Sequence, residues 1–499
     1  MELLNQLIFT FYNLLNNYNS KTKASSEKIE NYLEFSLTFF QNNFFLIFIF
    51  FILLIVLIYL NLFKHEKYHS IFLVNIFIFL IILILFPLNI PFVDVYNELN
   101  LLFSSKYSDY LFSTNHSGGF LFIFFRFLHL LIFKFFNLNY NVIIFINFLI
   151  FFLASILIIN YLKKYNLKNY IFVFILLFFN GKWFVHFYEP VNIVWTINFI
   201  IILFFLFCKD IKDDFLKNLS LIIIFLFSII NFKAGIILFV YSIIYGFLIK
   251  DKIRNKFIFI FVPFLFYLLL NHFVMSTMYE PLNIKNIYYD YLNNKNYIYF
   301  INNFFAAHTL ILTPYIFPIK YFAIFFVLFQ YFFILKILFF KNESFLKSIK
   351  DFIIENPLIL IGIIGCFLIN LSREDYNQSR YVTFSLMFQM GFLIYFFKNL
   401  PLFLEKIFLK KRILLLIFLP LYFINLFLPN QGLLFAFGKN YIFEDIKNCL
   451  VNSKNNNDVC LKKMFHLTFY DLDEKKFHEY RESIYKIRNQ KLTIFNEIK

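Results

Sequence analysis

Two acids stand close together in the segment PFVDVYNELN (residues 91–100). Asp94 and Glu98 are four positions apart, so their side chains would share one face if the segment were helical. Two carboxylates on one face can act in general acid–base catalysis or hold a divalent cation such as Mg²⁺ or Mn²⁺. Two solvated loop acids have the same spacing, and on spacing alone that simpler interpretation is favoured. No cofactor other than such a cation is indicated.

A second group of polar residues follows in STNHSGG (113–119). Backbone amides at a glycine-rich helix start can receive a phosphate, and His116 could supply a proton or a hydrogen bond. An ordinary turn has the same composition. The next stretch, GFLFIFFRFLHLLIFKFFN (119–137), is apolar except for three side chains near one helical stripe: Arg126, His129 and Lys134. We take His116 and Arg126 as candidates for substrate binding.

The segment GKWFVHFYEP (181–190) supplies two more candidates. His186 and Glu189 are three positions apart, so on a helix they would be neighbours able to line one cavity. Trp183 and the nearby Trp195 are expected to be anchors at a membrane–water interface.

The segment NLSREDYNQSRYVTFSLMF (370–388) contains Arg373 and Arg380, two of only seven arginines in the chain, followed by Tyr381. Arginine binds phosphate through two parallel hydrogen bonds, which suits a lipid-linked phosphate. The alternative is an exposed loop in which Arg373 pairs with Glu374 or Asp375.

The composition of the chain indicates which kind of fold must position these candidate residues. The chain of 499 residues is 61% hydrophobic and 15% charged, with a mean hydropathy of +0.71, whereas a soluble domain has about 25% charged residues. Runs such as FFLIFIFFILLIVLIYL (44–60) are as long as a bilayer core requires and do not alternate as barrel strands would. The sequence therefore predicts an all-α integral membrane protein, a polytopic bundle of about twelve transmembrane helices.

Charge predicts the topology. The formal charge is 46 − 30 = +16, and in a membrane protein this indicates cytoplasmic loops near anionic lipid, not a nucleic-acid partner. Six short connections are rich in lysine and are expected on the cytoplasmic side: 64–67, 163–168, 209–217, 250–256, 341–350 and 398–412. The outer loops are then 90–140, 181–190, 274–318 and 372–380. In this scheme 119–137 and 297–317 lie in the interface plane as amphipathic helices.

Three regions follow from this scheme. Residues 1–43 form an N-terminal segment that is weakly structured or interfacial, residues 44–428 the transmembrane bundle, and residues 429–499 a small, helical extracytoplasmic tail. The tail contains Cys449 and Cys460. An oxidising compartment would permit a disulfide between them, and two free thiols are the alternative.

The layout resembles the GT-C superfamily of membrane glycosyltransferases. The resemblance lies in the acidic pair of the first outer loop, the amphipathic helix after it, and the SRY at 379–381 with an arginine seven residues before Arg380. It implies a polyprenyl-phosphate-linked sugar donor and a glycan, lipid or protein acceptor, with Asp94 as general base and Glu98 as its partner. Arg373 and Arg380 become candidates for the donor phosphate. Many members have their two acids adjacent or one residue apart, and the wider spacing here leaves metal use open.

Two other classes share parts of this pattern. An O-antigen-type polymerase or ligase has a similar number of spans and functional arginines but needs no acid in the first loop. A transporter or lipid flippase places charges near the bilayer midplane, whereas here the polar groups collect on one side. The preferred hypothesis is a glycosyltransferase of a bacterial inner membrane, with its active site and C-terminal tail facing the outside.

Overall fold

The described part of the chain consists of helices and the turns between them. The computed structural model describes residues 68–85, 95–112, 123–165, 167, 170–188, 193–230, 234–249, 253–275, 297–311, 319–340, 344–372, 382–399, 422, 444, 447–449, 460 and 474–493. Of these residues 88% are helical and none belongs to a strand, so the prediction of an all-α chain is confirmed. The N-terminal segment 1–43 and the apolar run at 44–60 lie outside the described residues.

The helices that the structure describes are numbered here in chain order. They are α1 (Tyr68–Leu85), α2 (Val95–Ser104), α3 (Tyr107–Phe112), α4 (Ile123–Phe135), α5 (Tyr140–Lys163), α6 (Ile171–Phe178), α7 (Trp183–Tyr188), α8 (Ile193–Cys208), α9 (Asp214–Ile230), α10 (Ala234–Leu248), α11 (Ile253–Met275), α12 (Tyr297–Ala307), α13 (Ile319–Phe340), α14 (Phe345–Glu355), α15 (Pro357–Ser372), α16 (Val382–Lys398) and α17 (Glu474–Asn489).

One helix has the length and composition of a membrane span. Among the described residues α5 is long and apolar enough by itself to cross a membrane. Helices α14 and α15 would add a second span if the two are counted as one bent element. That pair turns through 88° at Asn356, because Pro357 disfavours helical backbone in the residue before it and brings no N–H of its own. Other apolar helices, such as α8 and α16, are shorter.

Helix α5 also defines the two ends of the bundle. It begins after Asn139, whose side chain accepts a hydrogen bond from the Asn141 amide at 3.0 Å, and 24 residues at 1.5 Å each give a length of about 36 Å. Its first residue meets α4, and Lys164 at its far end pairs with Asp210. Lys164, Lys209 and Lys398, which belong to three of the lysine-rich connections, lie together at this far end. The positive-inside rule predicts that such connections share one side of the membrane.

Large apolar side chains face outward on several helices. On α13, Phe325, Phe332 and Phe339 are spaced by seven residues, lie on one face, and are 68%, 64% and 63% exposed. A continuous stripe of exposed phenylalanine is costly in water, whereas hydrocarbon is a suitable surrounding for it. The outer surface of this helix therefore agrees with a position against lipid.

The segment 297–311 differs from its expected position. Helix α12 leads into a turn, 308–311, that is fully buried between other helices. The His308 carbonyl accepts hydrogen bonds from Ser385 Oγ at 2.8 Å and Gln389 Nε2 at 2.9 Å, and Asn180 Nδ2 donates to the Ile311 carbonyl at 2.8 Å. An interfacial position for the whole of 297–317 does not fit this turn, because polar side chains satisfy its backbone inside the bundle.

Helices α15 and α16 approach each other through glycine. A Cβ added at Gly362 would lie 2.6 Å from the Phe388 backbone nitrogen, and one at Gly391 would lie 2.6 Å from the Ile359 nitrogen. Small residues at such positions allow two helices of a membrane protein to pack backbone against backbone.

We expect Gly362→Ala to destabilise the protein although alanine is the better helix former. The new methyl group would meet the backbone of α16 rather than a movable side chain, so the two helices must separate. Overpacking of this kind costs about 1–3 kcal/mol, more than the gain of about 1 kcal/mol in helix propensity. Thermal unfolding of the purified protein in detergent measures the change. An unchanged or higher unfolding temperature would contradict the close packing.

Candidate functional site

A buried ion pair joins α2, which follows Asp94 in the sequence, to α4. Glu98, in the first turn of α2, is 3% exposed and Arg126 of α4 is fully buried. Arg126 Nε donates to Glu98 Oε2 at 2.7 Å, and Arg126 Nη2 donates to Glu98 Oε1 at 3.0 Å. This two-point geometry is the strongest form of the arginine–carboxylate contact. It fixes α2 against α4.

The ion pair limits what Glu98 can do. Both of its oxygens are engaged by one guanidinium, and the side chain is almost without solvent contact. A base must reach a substrate proton, and a metal ligand needs an available lone pair. The contact engages both Glu98 and Arg126, and the catalytic, metal-binding and substrate-binding roles expected of them remain predictions. A buried pair of this kind positions its helices.

A histidine lies between two tyrosines beside this pair. His129 is fully buried, its Nδ1 is 2.7 Å from the Tyr110 hydroxyl and its Nε2 is 3.0 Å from the Tyr140 hydroxyl. Burial, and then the positive charge of Arg126, lowers the pKa of His129 to about 3. The ring is neutral at physiological pH, so one hydroxyl donates to its bare nitrogen and the other accepts from its N–H. The Arg126 guanidinium also lies over the Tyr110 ring, 5.6 Å from its centroid.

We expect His129 to make the fold sensitive to acid. The unfolded chain binds a proton at His129 near pH 6.5, whereas the folded protein resists protonation down to about pH 3. The stability that the neutral ring contributes is present above pH 6.5 and is lost as the pH falls toward 3, by at most about 1.4 kcal/mol per unit. Unfolding temperatures of the wild type and His129→Gln at pH 7 and pH 5 test this. The wild type should lose more on acidification, and equal losses would contradict it.

A second histidine, His186, is also hydrogen bonded to α5, farther along that helix. Asn147 Nδ2 donates to the His186 carbonyl, and Asn147 lies seven residues after Tyr140, about 10 Å along the helix. His129 and His186 are thus both held by polar side chains of α5. His186 is a fully buried residue of α7. The sequence had predicted that it could line a cavity together with Glu189.

The two tryptophans correct another expectation. Trp183 is completely buried, its ring centroid is 5.0 Å from that of Phe151, and its Nε1 donates to the Phe178 carbonyl at 2.7 Å. Trp195 is 7% exposed and packs edge-on against Phe384. Both are core residues of the bundle and not interfacial anchors, since nearby backbone and aromatic groups satisfy them inside.

Several predicted site residues lie outside the described part of the chain: Asp94, His116, Glu189, Arg373, Arg380 and Tyr381. In the sequence Asp94 directly precedes the first residue of α2, and 373–381 connects α15 to α16. Within the described residues no three His, Cys, Asp or Glu side chains gather as a metal site. The cation expected at Asp94 and Glu98 therefore remains a prediction.

The C-terminal tail packs against the same end of the molecule. Ser483 Oγ of α17 is hydrogen bonded to Asn100 Oδ1 of α2, and the Thr493 amide donates to the Asn137 carbonyl at 2.8 Å. Ile484 and Ile487 are buried at this contact side of α17. In the structure Cys449 and Cys460 are joined by a disulfide, the pairing considered from the sequence.

An apolar groove runs along the other side of α4. It has a volume of about 600 Å³ and is formed by α4, α8 and α9 together with Leu111 of α3. Its lining is hydrocarbon apart from Cys208 and Ser220, and includes Phe124, Phe127, Ile200, Phe204, Ile223 and Phe227. Sequence reasoning did not find this groove, because its residues come from four helices and are apolar like most residues of the chain.

Tyr110 and Tyr140 were also missed by sequence reasoning. The one local signal was the presence of Arg126 and His129, three apart, on an otherwise apolar helix. In a membrane protein such residues face the protein interior and require polar partners. The identity of those partners depends on how the helices pack.

The site and fold thus define an all-helical chain with at least one helix of membrane-spanning character and a buried polar cluster at one end. Compared with protein-family models, with curated proteins and with solved structures, the chain finds no match.

Proposed function

We propose that this protein is an integral membrane glycosyltransferase that transfers a sugar from a polyprenyl-phosphate donor to an acceptor on the extracytoplasmic face. The observation that carries the proposal is the position of α4. One side of this helix holds Arg126, which is bonded to Glu98, four residues after Asp94 in the sequence. Another side, with Phe124 and Phe127, lines the apolar groove. The groove and Arg126 therefore share α4, and Arg126 is bonded to the helix that follows the candidate base Asp94 in the sequence.

The groove suits the hydrocarbon part of such a donor. Its volume of about 600 Å³ is within the usual range for small-molecule sites, about 300–1,000 Å³. Inside a membrane the groove supplies little net affinity, since lipid tails are as apolar as its walls. Its contribution is orientation, because a chain held along α8 and α9 would bring the attached phosphate to a fixed level. Affinity must then come from polar groups at the phosphate and sugar.

The proposed topology has about twelve spans in a bacterial inner membrane. The phenylalanine stripe of α13 and the apolar length of α5 support insertion in lipid. The lysine-rich end would be cytoplasmic, which places α2, α4 and the tail outside. The Cys449–Cys460 bridge agrees with that placement, because disulfides persist in oxidising compartments.

The proposed reaction is substitution at the anomeric carbon of the sugar. The bond between that carbon and the donor phosphate oxygen breaks, and a bond to the acceptor oxygen or nitrogen forms. The proton of the acceptor passes to the Asp94 carboxylate, and polyprenyl phosphate leaves with the bonding electrons. Arg373 and Arg380 would stabilise the departing phosphate, with His116, His186, Glu189 and Tyr381 as further candidates for substrate contacts.

In this proposal Glu98 is a positioning residue for Asp94. The bidentate contact with Arg126 holds the first turn of α2 in a fixed relation to α4 and hence to the groove. Positioning of this kind matters because small displacements of a catalytic group have large effects on rate.

Mass spectrometry of polyprenyl-linked sugars and surface glycans tests the proposal. A deletion strain is complemented with the wild type, with Asp94→Ala, or with Asp109→Ala, which changes an exposed acid of the same loop. The deletion and Asp94→Ala strains should lose one sugar modification and accumulate its lipid-linked donor, while Asp109→Ala restores it. If Asp94→Ala restores everything, the proposed base is wrong and a polymerase, ligase or flippase becomes the better explanation.

A further inference from the structure

The far end of α5 carries a cationic cluster that the proposed function does not use. Lys164 Nζ pairs with Asp210 Oδ2, and Lys209 Nζ is 3.0 Å from Asp210 Oδ1. Lys398, at the end of α16, places its Nζ 4.1 Å from the centroid of the Tyr165 ring. Lys163, exposed beside Lys164, bonds to Asn160 Oδ1 at 3.2 Å. We call Lys163, Lys164, Lys209 and Lys398 the lysine cluster.

The cluster has a surplus of positive charge. The acids that face it are Asp210, which contacts two of the lysines, and Glu355, which acts electrostatically on Lys398. Four lysines and two carboxylates give 4 − 2 = +2. Burial raises the pKa of Asp210, but the two lysines outweigh it and hold that pKa below its usual value, so the acid is ionised. Burial lowers the pKa of Lys209 and of Lys398, and the negative charges of Asp210 and Glu355 oppose that effect. The surplus of +2 is the charge of the cluster when all four lysines are protonated.

Aromatic rings form the base of the cluster. The Tyr165 hydroxyl is 2.7 Å from that of the buried Tyr161, which holds the Tyr165 ring beneath Lys398. Lys209 lies 5.2 Å from the centroid of Tyr245. Tyrosine and lysine at the ends of apolar helices are typical of the headgroup region of a bilayer.

An exposed apolar stripe on α5 leads to the cluster. Phe145, Leu149 and Leu153 are spaced by four residues and are 50%, 46% and 43% exposed. Asn160, seven residues after Leu153, continues that face and bonds to Lys163. A hydrocarbon chain along the stripe and an anionic group at its end would match this surface, and a free phosphate would use only the lysines.

We infer that the lysine cluster binds the phosphate of an anionic phospholipid whose acyl chain lies along the exposed stripe of α5. Basic pockets between helices at the membrane surface bind such headgroups through charge and hydrogen bonds. Lys163, Lys164 and Lys398 are exposed, and of these Lys398 lies over the Tyr165 ring while Lys164 pairs with Asp210. The inference requires a membrane protein, but it does not depend on sugar transfer.

Native mass spectrometry of the purified full chain in detergent tests the inference. Phosphatidylglycerol and phosphatidylcholine are added in parallel, with glycerol phosphate as a soluble competitor. The wild type should retain phosphatidylglycerol in preference to phosphatidylcholine, and glycerol phosphate should not displace it at equal concentration. Lys164→Gln/Lys398→Gln should weaken phosphatidylglycerol binding on the order of thirtyfold, about fivefold for each charge.

Two control variants distinguish a specific lipid-binding site from general attraction between positive charges and anionic lipid. Lys212→Gln removes an exposed charge at the same end but outside the cluster and should bind as the wild type does, while Lys398→Arg keeps the charge and should retain binding. If the double variant does not fold, Lys398→Gln alone should show the fivefold loss. Equal retention by the double variant, an equal loss in Lys212→Gln, or full displacement by glycerol phosphate would overturn the inference.

Discussion

Replacing Arg126 by methionine should destabilise the protein by about 3–5 kcal/mol, the usual cost of removing one partner of a buried ion pair. The substitution leaves the Glu98 carboxylate at 3% exposure without the guanidinium that engages both of its oxygens. Solvent cannot replace that partner because the site is closed. The expected result is a large fall in the yield of folded protein and in its unfolding temperature in detergent.

A double substitution distinguishes a lost charge partner from lost packing. Glu98→Gln/Arg126→Met removes both charges and keeps similar volumes, so it should recover most of the stability that Arg126→Met loses. The matched control is the Lys164–Asp210 pair, whose side chains are 49% and 36% exposed. Breaking that pair with Lys164→Met should cost no more than about 1 kcal/mol. An Arg126→Met protein as stable as the wild type would show that the buried pair does not hold α2 to α4.

The helical character of the chain could be predicted from the sequence because composition determines it. Runs of Phe, Ile and Leu with little charge must satisfy their backbone internally, and a helix does this locally. The break before Pro357 could also be anticipated from the restriction that proline places on the preceding residue. The buried turn at 308–311 could not, since its hydrogen bonds come from Ser385, Gln389 and Asn180, which are distant in sequence.

The polar stripe of α4 shows why the site was harder to predict. The spacing of Arg126 and His129 predicted an amphipathic helix. Because this helix was expected to lie in the interface plane, its polar face was expected to point toward the membrane surface. In the structure both side chains point inward, and Phe127 and Phe135 are exposed instead. Buried polar groups require polar partners, so Arg126 and His129 lie against Glu98 and two tyrosines inside the protein. The partner of Arg126 is Glu98, 28 residues earlier on another helix, and no local pattern encodes that contact.

This contact bears on the acid pair. The spacing of Asp94 and Glu98 suggested two equivalent carboxylates on one face. Glu98 is engaged by Arg126, whereas Asp94 stands directly before the first residue of α2. The two acids are therefore expected to act differently, with Glu98 holding the helix and Asp94 accepting the proton.

Asp94→Asn should reduce sugar transfer by about 10²–10⁴-fold, the usual contribution of general-base catalysis. The amide is close to isosteric with the carboxylate but cannot take the proton from the acceptor. Because the substitution lies outside the buried Glu98–Arg126 pair, the unfolding temperature should remain that of the wild type, and donor binding should persist. Single-turnover transfer by the purified protein, with the donor identified from the deletion strain, measures the effect.

The control for this rate measurement is Asp109→Asn, which changes an exposed acid of α3 in the same loop and should transfer at the wild-type rate. A fall in kcat with little change in KM for the donor would place Asp94 in the chemical step, whereas a rise in KM with normal kcat would place it in donor binding. Transfer at the wild-type rate by Asp94→Asn would remove the base from the mechanism. A polymerase or ligase would survive that substitution, because arginines that stabilise a departing lipid phosphate do not require an acid at the start of α2.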